Sequence, residues 1–135
     1  MNRIETRFAD LKRRNEPAFV PFLTAGDPTL DLTAKLVLEL AAAGADVIEL
    51  GVPFSDPLAD GVVNQEAAQR ALKHDVDLDR ILEMVRQIRK SCDVPLMLFT
   101  YYNPVLVYGC EALAKASKDA GIDGALCVDL PPEEA

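Results

Sequence analysis

The sequence has 135 residues, half of them apolar and 27% charged, enough for one domain with a hydrophobic core and too apolar for disorder. Acidic side chains outnumber basic ones by 22 to 14, a net charge of −8, which suits neither a nucleic-acid backbone nor an anionic membrane as partner. No apolar run approaches the roughly 18 residues of a membrane span. The charged stretch MNRIETRFADLKRR lacks the apolar centre of a signal peptide, and three scattered cysteines fit no disulfide framework or metal motif. The expectation is a single reduced, cytoplasmic domain over residues 1–135.

In chain order, Ile4, Phe8 and Leu11 recur at helical spacing and predict an N-terminal helix. A first strand is expected over Phe19 to Thr24. A second helix carries Leu36, Val37 and Leu40 and stops at Gly44. The run VIEL, Val47 to Leu50, reads as the second strand. A helical stretch follows Gly61, and Ile81, Met84, Val85 and Ile88 stripe a further helix whose basic residues gather at its C-terminal end. Strands over Pro95 to Phe99 and Ala125 to Val128 flank a helix from Glu111 to Ala120, closed by Gly121. The strand runs are nearly continuous in apolar character, the pattern of strands buried on both faces of a parallel sheet. Alternation of strand and helix calls for right-handed crossovers, in a (β/α) barrel or a doubly wound sheet. The repeated plan of AGADVIELG and AGIDGALCVDLP suits the barrel.

Chemistry concentrates in ELGVPFSDPLADG, Glu49 to Gly61. Glu49 falls near the C-terminal end of a strand, where barrels build their active sites. A carboxylate buried there costs several kcal/mol unless it is paired or protonated, and a protonated acid near neutral pH is a general acid. The alternative is a structural carboxylate. The loop Val52 to Gly61 exceeds the usual length of a strand-to-helix connection, as binding loops do. Its Asp56 and Asp60 are candidate site residues, each with a turn or a helix cap as the plain alternative. His74 reads as a solvated loop residue, Cys110 and Cys127 as small buried or half-buried residues, and Cys92 as the end of a helix with no base nearby in sequence.

This thirteen-residue segment closely resembles the signature of the tryptophan synthase alpha chain family. FVPFLTAGDPT (Phe19 to Thr29), FTYYNPV (Phe99 to Val105) and VDLPPEEA (Val128 to Ala135) continue the resemblance in collinear order. It implies a fold of the eight-unit TIM-barrel type, here truncated to about the first four β/α units with an extra N-terminal helix. It also implies cleavage of indole-3-glycerol phosphate to indole and glyceraldehyde 3-phosphate, with indole passing to a beta chain in a tetramer of two alpha and two beta chains. Carried over by position, Glu49 resembles the general acid and Asp60 the second catalytic carboxylate, which would steady positive charge on the indole nitrogen. Phe22 and Tyr102 resemble pocket residues for the substrate, and Tyr101 is expected to point the other way. Pro53, Asp56, Asn103 and Pro104 resemble contacts to the beta chain. No metal or cofactor is implied, since pyridoxal phosphate belongs to the beta chain.

Two departures from the family pattern stand out. Val62, Val63 and Asn64 follow Gly61 where the family usually has proline, a variable residue and isoleucine. The glycine-rich phosphate-binding loops that the resemblance implies, from the seventh and eighth units, have no counterpart here. The isolated chain is therefore expected to be inactive, and its open sheet edges to favour self-association. The competing readings are another sugar-phosphate barrel enzyme, an epimerase or isomerase with Mg²⁺ on Glu49, Asp56 and Asp60, and a non-catalytic fragment.

Overall fold

Local chemistry sets the helix boundaries. In the computed structural model, which describes residues 1–135, α1 (Arg3–Arg14) begins at Asn2 with a reciprocal capping box to Glu5. Thr29 caps α2 (Leu30–Ala42) and Asp77 caps α4 (Leu78–Arg89) by accepting backbone N–H bonds from Leu32 and Arg80. Between these two lies α3 (Val62–Leu72), which starts at Gly61 with no side-chain cap. Two further helices follow the third strand: α5 (Tyr102–Tyr108) and α6 (Cys110–Ala120). No helix is long and apolar enough to cross a membrane.

Four strands, β1 (Phe22–Thr24), β2 (Ile48–Gly51), β3 (Leu96–Thr100) and β4 (Gly124–Cys127), form one parallel sheet in the order β1-β2-β3-β4. The expected strands are all present, with bounds shifted by one to three residues. The seven-residue helix α5 is not among the expected helices; Pro104 is its third residue, where the missing N–H is one the helix does not need.

The two faces of the sheet differ. Ile48, Leu50, Leu96 and Leu98 are fully buried against α2, α4 and α6 residues such as Val37, Ile81, Val85, Ile88 and Leu113. Each such aliphatic side chain contributes about 1.5–3 kcal/mol of burial. The other face carries Phe22, Glu49 and Met97 in one cross-strand row, and Thr24, Gly51, Phe99 and Leu126 in the row above. Apart from buried Gly51, this face is only half-buried or exposed. The expectation of strands buried on both faces is thus corrected: helices cover one face, and period-2 alternation emerges as the burial pattern of β3.

The N-terminal ends of the strands are tied down by charge. Arg3 on α1 reaches Asp123 at 3.0 Å and Arg7 reaches Asp46 at 3.8 Å. Arg89, at the end of α4, donates to the carbonyls of Gly121, Cys92 and Val94 and to the Asp123 carboxylate at 2.9 Å. Burial draws the Arg89 guanidinium below its ordinary range. That leaves the C-terminal ends free to carry loops.

Candidate active site

Because all four strands are parallel, their C-terminal ends open on one side, and the loop after β2 lies there. Gly51 closes β2 and is tightly constrained: a Cβ on it would fall 2.5 Å from Phe22 Cζ. The bare backbone leaves room for the Phe22 ring, which meets Phe99 edge to face at 5.2 Å and 77°. The structural role of glycine at this position is to admit an aromatic ring.

The loop then folds back over this corner. Turn bonds run from Leu58 N–H to Asp56 O and from Asp60 N–H to Pro57 O. Gln65, in the first turn of α3, donates its amide to Asp60 O at 2.9 Å and to Pro57 O at 3.3 Å. Tyr101 completes the arrangement. Its hydroxyl accepts from Ala59 N–H at 2.9 Å and donates to Asp60 Oδ2 at 3.1 Å, while its ring lies 5.3 Å from that of Phe54. Burial pushes the Tyr101 phenol above its ordinary range, and the bond to Asp60 adds to the shift.

A small recess of about 20 Å³ results, lined by Phe22, Gly51, Pro53, Phe99, Tyr101 and Asp60 among others. Glu49 lies two residues before Gly51 on the same face, about 7 Å further down the strand. It is half-buried rather than enclosed. A larger cleft of about 350 Å³ lies on the helix-covered side beside β4, and neither Glu49 nor Asp60 lines it.

Of the residues singled out in the sequence, Phe22, Glu49 and Asp60 are brought to one face and one end of the sheet. Tyr102 is not among them. It lies at the start of α5, its N–H bound to Asp129 Oδ1 at 2.7 Å, and it lines the cleft beside β4. The expected orientations of Tyr101 and Tyr102 are therefore reversed. Thr100 faces the buried side, so the next residue in the extended chain faces the site. Pro53, expected at a partner surface, is buried and lines the recess; Asp56 and Asn103 are exposed and Pro104 is half-buried. Glu49, Asp56 and Asp60 do not converge into a group of three that could hold a metal ion.

Comparison with known proteins then bears on the whole arrangement. The family model described as tryptophan synthase alpha chain matches residues 8–135. The chain belongs to the tryptophan synthase alpha chain family. It is 54% identical over its full length to the tryptophan synthase alpha chain of Geotalea uraniireducens, and 55% identical to that of Citrifermentans bemidjiense. In each case the match covers 51% of the relative. The structure superposes on the tryptophan synthase alpha subunit of Legionella pneumophila with a TM-score of 0.98 at 48% identity, over 100% of this chain and 52% of that one. A tryptophan synthase complex from Pyrococcus furiosus matches with a TM-score of 0.83 at 42% identity, over 87% of this chain and 49% of that one. The chain thus spans about half the length of the relatives it matches, and its four-stranded sheet is the corresponding part of their TIM-barrel fold.

Proposed function

We propose that these residues supply the catalytic carboxylates of a tryptophan synthase alpha chain, which cleaves indole-3-glycerol phosphate to indole and glyceraldehyde 3-phosphate. The observation that carries this reading is the joint placement of Glu49 and Asp60. One stands on a strand and the other on a loop, on one face at the C-terminal end of a parallel sheet, with Phe22 next to Glu49 in the cross-strand row and also lining the recess that Asp60 lines.

The chemistry follows from two carboxyl groups in different settings. Protonation of indole C3 by Glu49 breaks ring aromaticity and places positive charge on N1. Asp60, aligned by Tyr101, accepts a hydrogen bond from N1–H and stabilises that charge. The C3–glycerol bond then breaks, its electron pair restores the indole ring, and the glycerol hydroxyl returns its proton to Glu49 as the aldehyde forms. Phe22 and Phe99 offer an apolar wall for the ring. Tyr102 is assigned to the neighbouring cleft, and Tyr101 takes its place in the substrate pocket.

The partner reading is a beta chain, which holds pyridoxal phosphate, docked on the loop side of the sheet. Asp56 and Asn103 are exposed there, as are Leu58, Leu106 and Val107 of the same loop and α5. The reading assigns the substrate phosphate to the part of the relatives beyond the matched half, so residues 1–135 alone are expected to release no indole. The test uses a full-length hybrid in which residues 1–135 replace the matching part of the Geotalea uraniireducens relative. The hybrid should release indole from indole-3-glycerol phosphate, faster with beta chain added, and at the same rate in the presence of EDTA. A folded hybrid that releases none, or whose turnover depends on a divalent cation, overturns the reading.

A further inference from the structure

Asp60 sits on a loop, yet the proposed chemistry needs its carboxylate fixed to within a fraction of an ångström, since preorganisation is what gives such a group its effect. The loop's own means are limited. Gly61, the residue that opens α3, provides no cap, and Val62, Val63 and Asn64 are exposed. The first turn of α3 is therefore held by something else.

The far half of the helix is firmly seated. Ala67, Ala68 and Ala71 are buried, and α3 packs on β1. Arg70 forks onto Asp27 in the turn after β1, with Nε to Oδ1 at 2.7 Å and Nη2 to Oδ2 at 2.8 Å. An exposed single-bonded ion pair contributes little, but a bidentate guanidinium–carboxylate pair fixes orientation as well as distance. The turn carrying Asp27 is itself constrained. Gly26 adopts φ +92°, donates its N–H to buried Thr33 Oγ1 at 3.0 Å, and lies so close to Val76 that a Cβ would come within 2.5 Å of that side chain. Asp27 is thus presented from a fixed base.

We infer that Arg70 and Gln65 make α3 a strut that positions Asp60: Arg70 clamps the helix to Asp27, and Gln65 ties the first helical turn back to the loop so that the Asp60 carboxylate meets Tyr101. Both are positioning residues, acting through Asp60. The inference rests on the proposed role of Asp60, but the geometry it describes is measurable without substrate.

The experiment uses residues 1–135 with Tyr102→Phe and Tyr108→Phe, which leave Tyr101 as the sole phenol among the three tyrosines of the chain. Amide hydrogen exchange and ultraviolet phenol titration are recorded for that parent and for Arg70→Gln, Gln65→Ala and, as control, Gln69→Ala on the exposed side of the same helix. Arg70→Gln and Gln65→Ala should each speed exchange at Ala59 and Asp60 by at least tenfold and move the Tyr101 titration toward that of free tyrosine. Leu50 and Leu98 in the sheet should exchange as before, and Gln69→Ala should change nothing. Arg70→Lys, which keeps the charge but loses the fork, should fall between the two.

Unchanged exchange at Ala59 and Asp60 in Arg70→Gln overturns the strut, and so does equal loss of protection at Leu50 and Leu98, which would make Arg70 a general stabiliser. In the full-length hybrid, Arg70→Gln should lower kcat with little effect on KM. If the loop loosens as described and kcat does not fall, the strut stands and the assigned role of Asp60 fails.

Discussion

Replacing Arg89 with Met keeps the aliphatic stem and removes the guanidinium from beneath the sheet. Its side chain is 10% exposed and that of Asp123 3%, and Asp123 also accepts the backbone N–H of Leu96 that begins β3. Three carbonyls, at Gly121, Cys92 and Val94, lose their donor at the same time. Breaking a buried pair from one side costs about 3–5 kcal/mol. Asp123 keeps Arg3 at 3.0 Å, but the three carbonyls left without their donor add their own desolvation cost, so the loss stays in that range. With an unfolding entropy near 2.1 cal/mol/K per residue, that corresponds to a fall in Tm of about 11–18 °C for 135 residues. Circular dichroism melts at neutral pH measure it directly. Arg86→Met is the control, since Arg86 pairs only with exposed Glu83 on the outer side of α4; its Tm should match the parent. A fall of less than about 3 °C for Arg89→Met would refute the claim that this network ties the strand starts together.

Gly51→Ala should displace the Phe22 ring and cost about 1–3 kcal/mol as an overpacked contact, read as a lower Tm and a changed near-ultraviolet spectrum; an unchanged spectrum would contradict the close approach. Asp77→Ala removes the side-chain cap of α4 and should cost about 1 kcal/mol in chemical denaturation, with no loss pointing to a substitute cap. All three tyrosines are held above their ordinary value of 10.0: Tyr101 chiefly by burial, Tyr102 by Cys110, and Tyr108 by its bond to Asp79. A folded pKa above the unfolded one gives stability that is whole below about pH 10 and lost as pH rises through the folded value. Native titration at 295 nm should therefore lag that in urea, and coincident curves would contradict these environments.

Much of this architecture is legible in the sequence because its signals are local and redundant. The helix containing Ile81, Met84, Val85 and Ile88 has a cap, a stripe and a basic end that agree, and all four residues are buried. The placement of Glu49, Asp60 and Phe22 on one face and at one end of the sheet is legible because specific motifs fix their positions in the chain. The errors arise where one residue of register decides the outcome. Whether Tyr101 or Tyr102 faces the site depends on where β3 ends, and a shift of one residue exchanges the two faces. Helix α5 is hidden by Pro104 and by its short length. The bond from Asp129 to the start of α5, the fork from Arg70 to Asp27 and the reach of Gln65 to Asp60 join residues whose partners no periodicity names. Continuous apolar strands signal two buried faces, but only the helix-covered face is buried within these residues.

The proposed cleavage depends most directly on Glu49 as the proton donor. In the full-length hybrid, Glu49→Gln keeps the size and the half-buried setting of the side chain and removes only its acid. Steady-state indole release from indole-3-glycerol phosphate should fall by about 10²–10⁴ in kcat, with KM nearly unchanged. A folded Glu49→Gln hybrid that retains the parent kcat would contradict the account.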